Sequence, residues 1–305
     1  MIRSRKTALA LACMIPLGAH AELQTLDDNT LGTLTGQAGI TIELNQASVS
    51  IGEVAYQDEG FISISGVEIG GDTLFDGADN SSNYLDDIVL HVDVAGATPG
   101  LGAANLGLAD LGATVTGSAN ETAVAVGNGD LVISLRPKSG STIDFGMGIS
   151  KVALAGSGYV SNLGDIQSEI DAGGATVLMQ DMKMTGKIGL VDIVVKNDNS
   201  GVNINAYFNN QGEVVRPLLN SRENFRLHNS RGADRIEVGA ESYAHAQLQI
   251  SQGVTSGGAD ALALNIQDLS GDMDSTNITY GSQPAIGNVY TTDFRLSAET
   301  VIYGH

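Results

Sequence analysis

One acidic stretch carries most of the chemistry that this sequence offers. The run GDTLFDGADNSSNYLDD, residues 71–87, sets Asp72, Asp76, Asp79, Asn80, Asp86 and Asp87 among glycines and small residues. Carboxylate and amide oxygens on such a loop are the ligands a hard cation prefers, so these six are the candidate metal ligands and Ca2+ is the ion. Their spacing follows neither the helix–loop–helix calcium loop nor a repeat-type one. The competing reading is a solvated acidic turn between strands. KNDNSG (Lys196 to Gly201) and GDMDSTN (Gly271 to Asn277) are weaker versions and read as plain turns.

No other catalytic or cofactor motif stands at a recognisable spacing. There is no Gly-x-Ser-x-Gly and no phosphate-binding loop, and GLGAAN and GMGISK lack the third glycine of a dinucleotide fingerprint. His91, His228, His245 and His305 stand singly, without the paired spacing that zinc needs. Cys13 is the one cysteine and sits in the leader described below, so thiol catalysis, disulfides and cysteine-held metals are not expected. The reading is of a non-enzymatic protein with no catalytic residues and no cofactor other than Ca2+.

The elements around these residues have period two. GITIEL, ASVSIG, DIVLHVDVAG, DLVISLRPK and GVNINAYF alternate apolar and polar residues, with Gly, Asn, Asp and Ser at the breaks. GFISISGVEIGG reads as short strands broken by Gly66, and MKMTGKIGLVDIVVKN as a pair around Gly186. Two long alternating runs, Arg235 to Gly253 and Asp260 to Gly281, follow before the closing DFRLSAETVIYGH. One short helix is expected within Val160 to Gly173, with Leu163, Ile166 and Ile170 at helical spacing. No long amphipathic helix is present, which excludes a βαβ architecture. Residues 211–235, with five arginines, break the pattern and read as an irregular insertion. The fold class is therefore all-β: an elongated antiparallel sheet assembly, roll- or sandwich-like, occupying 39–305 as one domain. An irregular β-solenoid is the alternative.

At the start, Arg3, Arg5 and Lys6 precede an apolar run from Ala8 to Gly18 and the small-x-small Ala19-His20-Ala21. This is the layout of a secretory signal peptide, residues 1–21. Its apolar run is too short to span a bilayer, and no transmembrane helix is expected after its removal. The expected location is the periplasm, the outer membrane surface or the extracellular space. Without the leader the chain holds 12 Lys+Arg against 35 Asp+Glu, a net −23. Such a surface repels nucleic acid.

Residues 22–38 read as a short helix and a glycine turn. Leu23, Leu26, Leu31 and Leu34 share one arc, Thr25 and Asp28 form a loose capping box, and Gly36 supplies the stop. LDDNTLGTLTGQAGITIEL, then VSIGEVAYQDEGFISISGVEIGG, and the closing AETVIYGH resemble the two ends of a family of exported gammaproteobacterial proteins of unknown function, some called FilA-type or pilus-assembly proteins. The resemblance implies an envelope or surface location and a link to a filament system, and offers no catalytic residues. The expected function is a surface or periplasmic protein of a pilus, fibre or adhesion system, with other envelope or fibre proteins as partners and self-association through strand edges. A calcium-binding structural or ligand-binding module and an outer-membrane β-barrel are the alternatives. Scarce aromatics and early glycine breaks weigh against the barrel.

Overall fold

Alternating β-branched and polar residues make strands wherever they occur in this chain. A computed structural model describes residues 39–77, 81–95, 105–106, 114–116, 124–139, 142–161 and 166–303. The leader at 1–21 and the helix expected at 22–38 lie outside these residues. In chain order the strands are β1 (Ile40–Leu44), β2 (Val49–Gln57), β3 (Gly60–Gly70), β4 (Ile88–Val94), β5 (Asn105–Leu106), β6 (Thr114–Thr116), β7 (Val124–Ala125), β8 (Leu131–Pro137) and β9 (Ile143–Gly156). They continue with β10 (Thr176–Val195), β11 (Val202–Arg216), β12 (Ser221–His228), β13 (Arg235–Val238), β14 (Glu241–Ser242), β15 (Ala244–Val254), β16 (Asp260–Tyr280) and β17 (Gly287–Ile302). The short helix α1 (Ile166–Gly173) falls inside the span expected for it. Its Ile170 is buried with Phe61, Ala153 and Ala155.

Twelve strands form one sheet, and its pairings are antiparallel. The molecule is all-β with a large antiparallel sheet, and the solenoid alternative is set aside. Gly39–His305 form one unit. The sheet has two halves that share long strands. One half runs β1-β4-β8-β10-β11-β15-β16-β17 and the other β2-β3-β9-β10-β11-β12-β16-β17, each eight strands wide. The 20-residue β10 pairs β9 along its first part and β8 along its last. The 21-residue β16 pairs β15 and then β12 in the same way.

Three glycine and insertion readings change here. Gly66 and Gly186 do not end strands: β3 and β10 run through both. A Cβ at Gly186 would stand 2.1 Å from the Asn209 carbonyl oxygen, so glycine serves close strand approach rather than a turn. Gly66 takes a left-handed φ of 61° within its strand, and a Cβ there would meet Ser150. Residues 211–235 are mostly not an irregular insertion. Gln211–Arg216 finish β11, and Ser221–His228 return as β12 in register with it. The arginines alternate as strand residues do, and their charge masked the period.

The two faces of the first half are chemically opposite. One face carries the row Ile40, Val92, Ile133, Ile193, Ile204, Leu248, Ile266 and Ala298, each paired to the next across the eight strands. Flanking it are the rows Ile42, Leu90, Leu135, Val191, Ala206, Ala246, Leu269, Leu296 and Val94, Leu131, Val195, Val202, Ile250, Leu264, Thr300. None of these residues is fully buried. The opposite face carries the row Thr41, His91, Ser134, Asp192, Asn205, Gln247 and Asp268. From Ser134 onward that polar row is buried.

Candidate functional site: a polar network at a break in the sheet

Strands β11 and β16 change partner at the same height. Tyr207 and Phe208 pair with His245 and Ala244 of β15, whereas Asn210 pairs with Leu227 of β12. On β16, Ser270 pairs with His245 and Asp272 with His228. So β12 stops where β15 begins, and residues 229–243 leave the sheet between them. Their β13–β14 hairpin, with β6 alongside β13, buries Ile236 and Tyr243 against Leu190 and Tyr207. Burial pushes the Tyr243 phenol up to about 12.

At this break Asp268, Ser270, Asp272 and Asp274 alternate with Leu269 and Met273 on β16, and the four polar residues are the buried ones. Acids out of water need donors. Asp272 accepts the Arg231 backbone N–H at 2.6 Å and that of Asp293 at 3.1 Å. Asp274 accepts the two Arg231 guanidinium nitrogens at 3.1 and 2.5 Å and faces His228 Nε2 at 3.1 Å. Burial pushes the Asp274 carboxyl up, and the Arg231 and His228 hydrogen bonds more than reverse it, leaving it below its ordinary value. Asp268 accepts from His245 Nδ1 and from the Ser270 hydroxyl, each at 2.7 Å, and Arg295 Nε lies 3.3 Å away.

The histidine tautomers follow from these neighbours. The Ser230 backbone N–H points at His228 Nδ1 from 3.3 Å and its hydroxyl lies 2.8 Å away, so Nδ1 accepts and Nε2–H donates to Asp274. Burial lowers the pKa of this imidazole, which keeps the ring neutral. His245 stacks on Tyr207 with ring centroids 4.7 Å apart. Its Nδ1–H goes to Asp268, and Asn205 Oδ1 lies 2.6 Å from Nε2. Turning that amide over satisfies Nε2 and also gives a bond to Asn205 Nδ2, which otherwise has no hydrogen-bond partner.

Ser230, His228 and Asp274 stand in the order hydroxyl, imidazole, carboxylate that acyl transfer uses. The Nδ1 lone pair is shared with the backbone N–H of the same turn, the ring is buried, and Asp274 is held by Arg231. The network neutralises charge inside the sheet and pins the 229–234 turn to β16. Farther along the row, Asp192 is buried against Arg136, 2.7 Å away.

Beside Asp274, between β10, β11, β12 and β16, an open groove of about 480 Å³ is lined by Lys183, Thr185, Gln211, Asn224, Arg226 and Phe75, among others. Lys183 stands over the Phe75 ring at 5.7 Å. Its lining mixes two amides (Gln211, Asn224), two cations (Lys183, Arg226), two acids (Glu213, Asp274) and two rings (Phe75, Phe225).

The acidic segment is placed differently from this network. Asp72 and Asp76 are exposed after β3, and Asp86 is exposed before β4. Asp87 has a left-handed φ of 57° and accepts the Ser139 N–H at 2.7 Å and its hydroxyl at 2.6 Å, tying this loop to the end of β8. Asp79 and Asn80 lie outside the described residues. Among the described residues no three His, Cys, Asp or Glu side chains group as metal ligands would. The sequence reading missed the β16 network, whose one visible signal is the spacing of Asp268, Asp272 and Asp274 by even numbers.

Residues 1–96 match a family of unknown function (DUF6160). No curated protein and no solved structure matches the chain.

Proposed function

We propose that this is an exported, non-catalytic protein of the cell surface or periplasm that serves a fibre or adhesion apparatus through contacts of its sheet. The observation that carries the reading is the eight-strand aliphatic face, half-buried to exposed and uncovered by any other described element, while the opposite face buries acids, amides and histidines. Water-facing sheets place these groups the other way round, and contiguous apolar patches mark association sites. The basic-then-apolar start supports export, and the fibre link rests on the resemblance of both ends to an exported family of unknown function, some members of which are called pilus-assembly proteins. Electron microscopy of cells lacking the protein tests it: loss of surface filaments or attachment is expected, and unchanged filaments and attachment overturn it.

The same face favours a second reading, a wall of an outer-membrane barrel, where aliphatic residues face lipid and polar ones face inward. A bilayer tolerates no open strand edge, so this reading requires β1 to close on β17. Fractionation with negative-stain imaging separates the two: fibres or soluble particles for the first, detergent-dependent closed particles for the second.

A further inference from the structure

The sheet ends in two free edges, and they match. One edge is β17, 16 residues long, which among the described strands pairs β16 alone. The other is β1 followed by β2, residues 40–57, joined by a short crossing at the Ala47–Leu85 bridge. Across the first half the pairing leads from Ile40 to Ala298. Across the second half it leads from Val49 through Ile69, Met147, Met184, Gly212, Phe225 and Ser275 to Val289. Positions 40 and 49 on one edge are as far apart in sequence as 289 and 298 on the other. The two edges are therefore commensurate from Ile40 to Val49 on one side and from Ala298 to Val289 on the other.

Their direction matches too. Eight antiparallel strands in each half leave β17 running opposite to β1 and β2, so a neighbouring copy laid beside β17 in the same orientation meets it antiparallel. Both edges also lack two of the usual protections, and their charges are mainly the acids Glu43, Glu53, Asp293 and Glu299. Neither β1, β2 nor β17 contains lysine or proline, and Arg295 is the one basic residue among them. Exposed apolar side chains line both: Ile40, Ile42, Val49, Ile51, Val54 and Tyr56 on one, Val289, Tyr290, Leu296, Val301 and Ile302 on the other. Ile40 and Ile42 stand in the same rows as Ala298 and Leu296, so joining the edges extends the aliphatic face from copy to copy.

We propose that β17 of one copy adds to β1 and β2 of the next, a head-to-tail strand addition that repeats without closing. This rests on the fibre reading above and names its contact. Within one copy the two edges are seven strand spacings apart, about 34 Å along the sheet. Among the described residues they remain unpaired there, which leaves them for a second copy.

The test uses a Cys13→Ser background, the full chain expressed and purified from cells, and a short bismaleimide. Mixing Ile40→Cys copies with Ala298→Cys copies is expected to give a cross-linked dimer, and likewise Val49→Cys with Val289→Cys. Neither single variant should cross-link to itself, and a chain carrying Ile40→Cys and Ala298→Cys together should give a ladder of multimers. Leu296→Lys with Thr300→Lys should abolish the ladder while the circular-dichroism spectrum stays that of a folded sheet. An internal cross-link without a ladder, cross-linked single variants, no cross-link in the mixtures, or a ladder that survives the lysines overturns the proposal. A protein that stays monomeric, but whose loss strips cells of filaments, refutes this contact and leaves the fibre reading standing. Filaments unaffected by its loss refute the fibre reading even where the ladder forms.

Discussion

At the scale of single residues, the buried pair of His228 and Asp274 sets how the protein responds to acid. The His228 imidazole is held below its ordinary value of 6.5, so the unfolded chain takes up its proton first. Its contribution to stability is complete above about 6.5 and falls as the pH drops below that value. Asp274 is held below 3.8, so its contribution is present above 3.8 and is lost as the pH falls further, through the folded value. Urea midpoints measured against pH should show both declines, and His228→Gln should flatten the upper one. Asp274→Ala takes the carboxylate partner from Arg231 and the acceptor from His228, and is expected to cost about 2–3 kcal/mol at neutral pH, read from denaturant curves. None of this was legible in the sequence. GDMDSTN reads as a plain turn, yet it lies inside β16, and alternation of Asp with Leu and Met states that two faces exist, not which one is covered. The Asp72–Asp87 cluster was legible as a loop, and Asp87 as a ligand only in the sense that it accepts from Ser139. Calorimetry with Ca2+ on the wild type and on Asp76→Ala tests the metal reading, with binding heat that the substitution removes as its expected result.

At the scale of elements, strand existence was read well and strand length poorly. Period two is a local signal, and β1, β4, β8 and β15 carry it cleanly. Gly186 looked like punctuation because a glycine that ends a strand and one that admits a close neighbour are the same letter. The distinction lives in β11, whose Asn209 carbonyl occupies the space a side chain would need. Gly186→Val is therefore expected to cost about 3 kcal/mol and to raise amide exchange on both β10 and β11. The hairpin that covers the network depends on one aliphatic anchor. Ile236, 2% exposed among Leu190, Tyr207 and Tyr243, is expected to lose about 2–4 kcal/mol on substitution by alanine, measured by thermal or urea unfolding.

At the scale of the whole molecule, the uncovered aliphatic face is a stored capacity for association. A charge at its centre tests that without disturbing the fold. Leu248→Glu is half-buried and faces away from the polar network, so its cost should stay near about 1 kcal/mol, while binding of an apolar dye falls sharply. The splitting of β10, β11 and β16 between two sets of partners has a further effect. No seam crosses the whole sheet along which one half can part from the other, because β10, β11, β16 and β17 run unbroken through both halves. Heat or denaturant should therefore melt the two halves in a single step, and a proteolytic nick between β12 and β15 should leave both fragments clasped together rather than set one free.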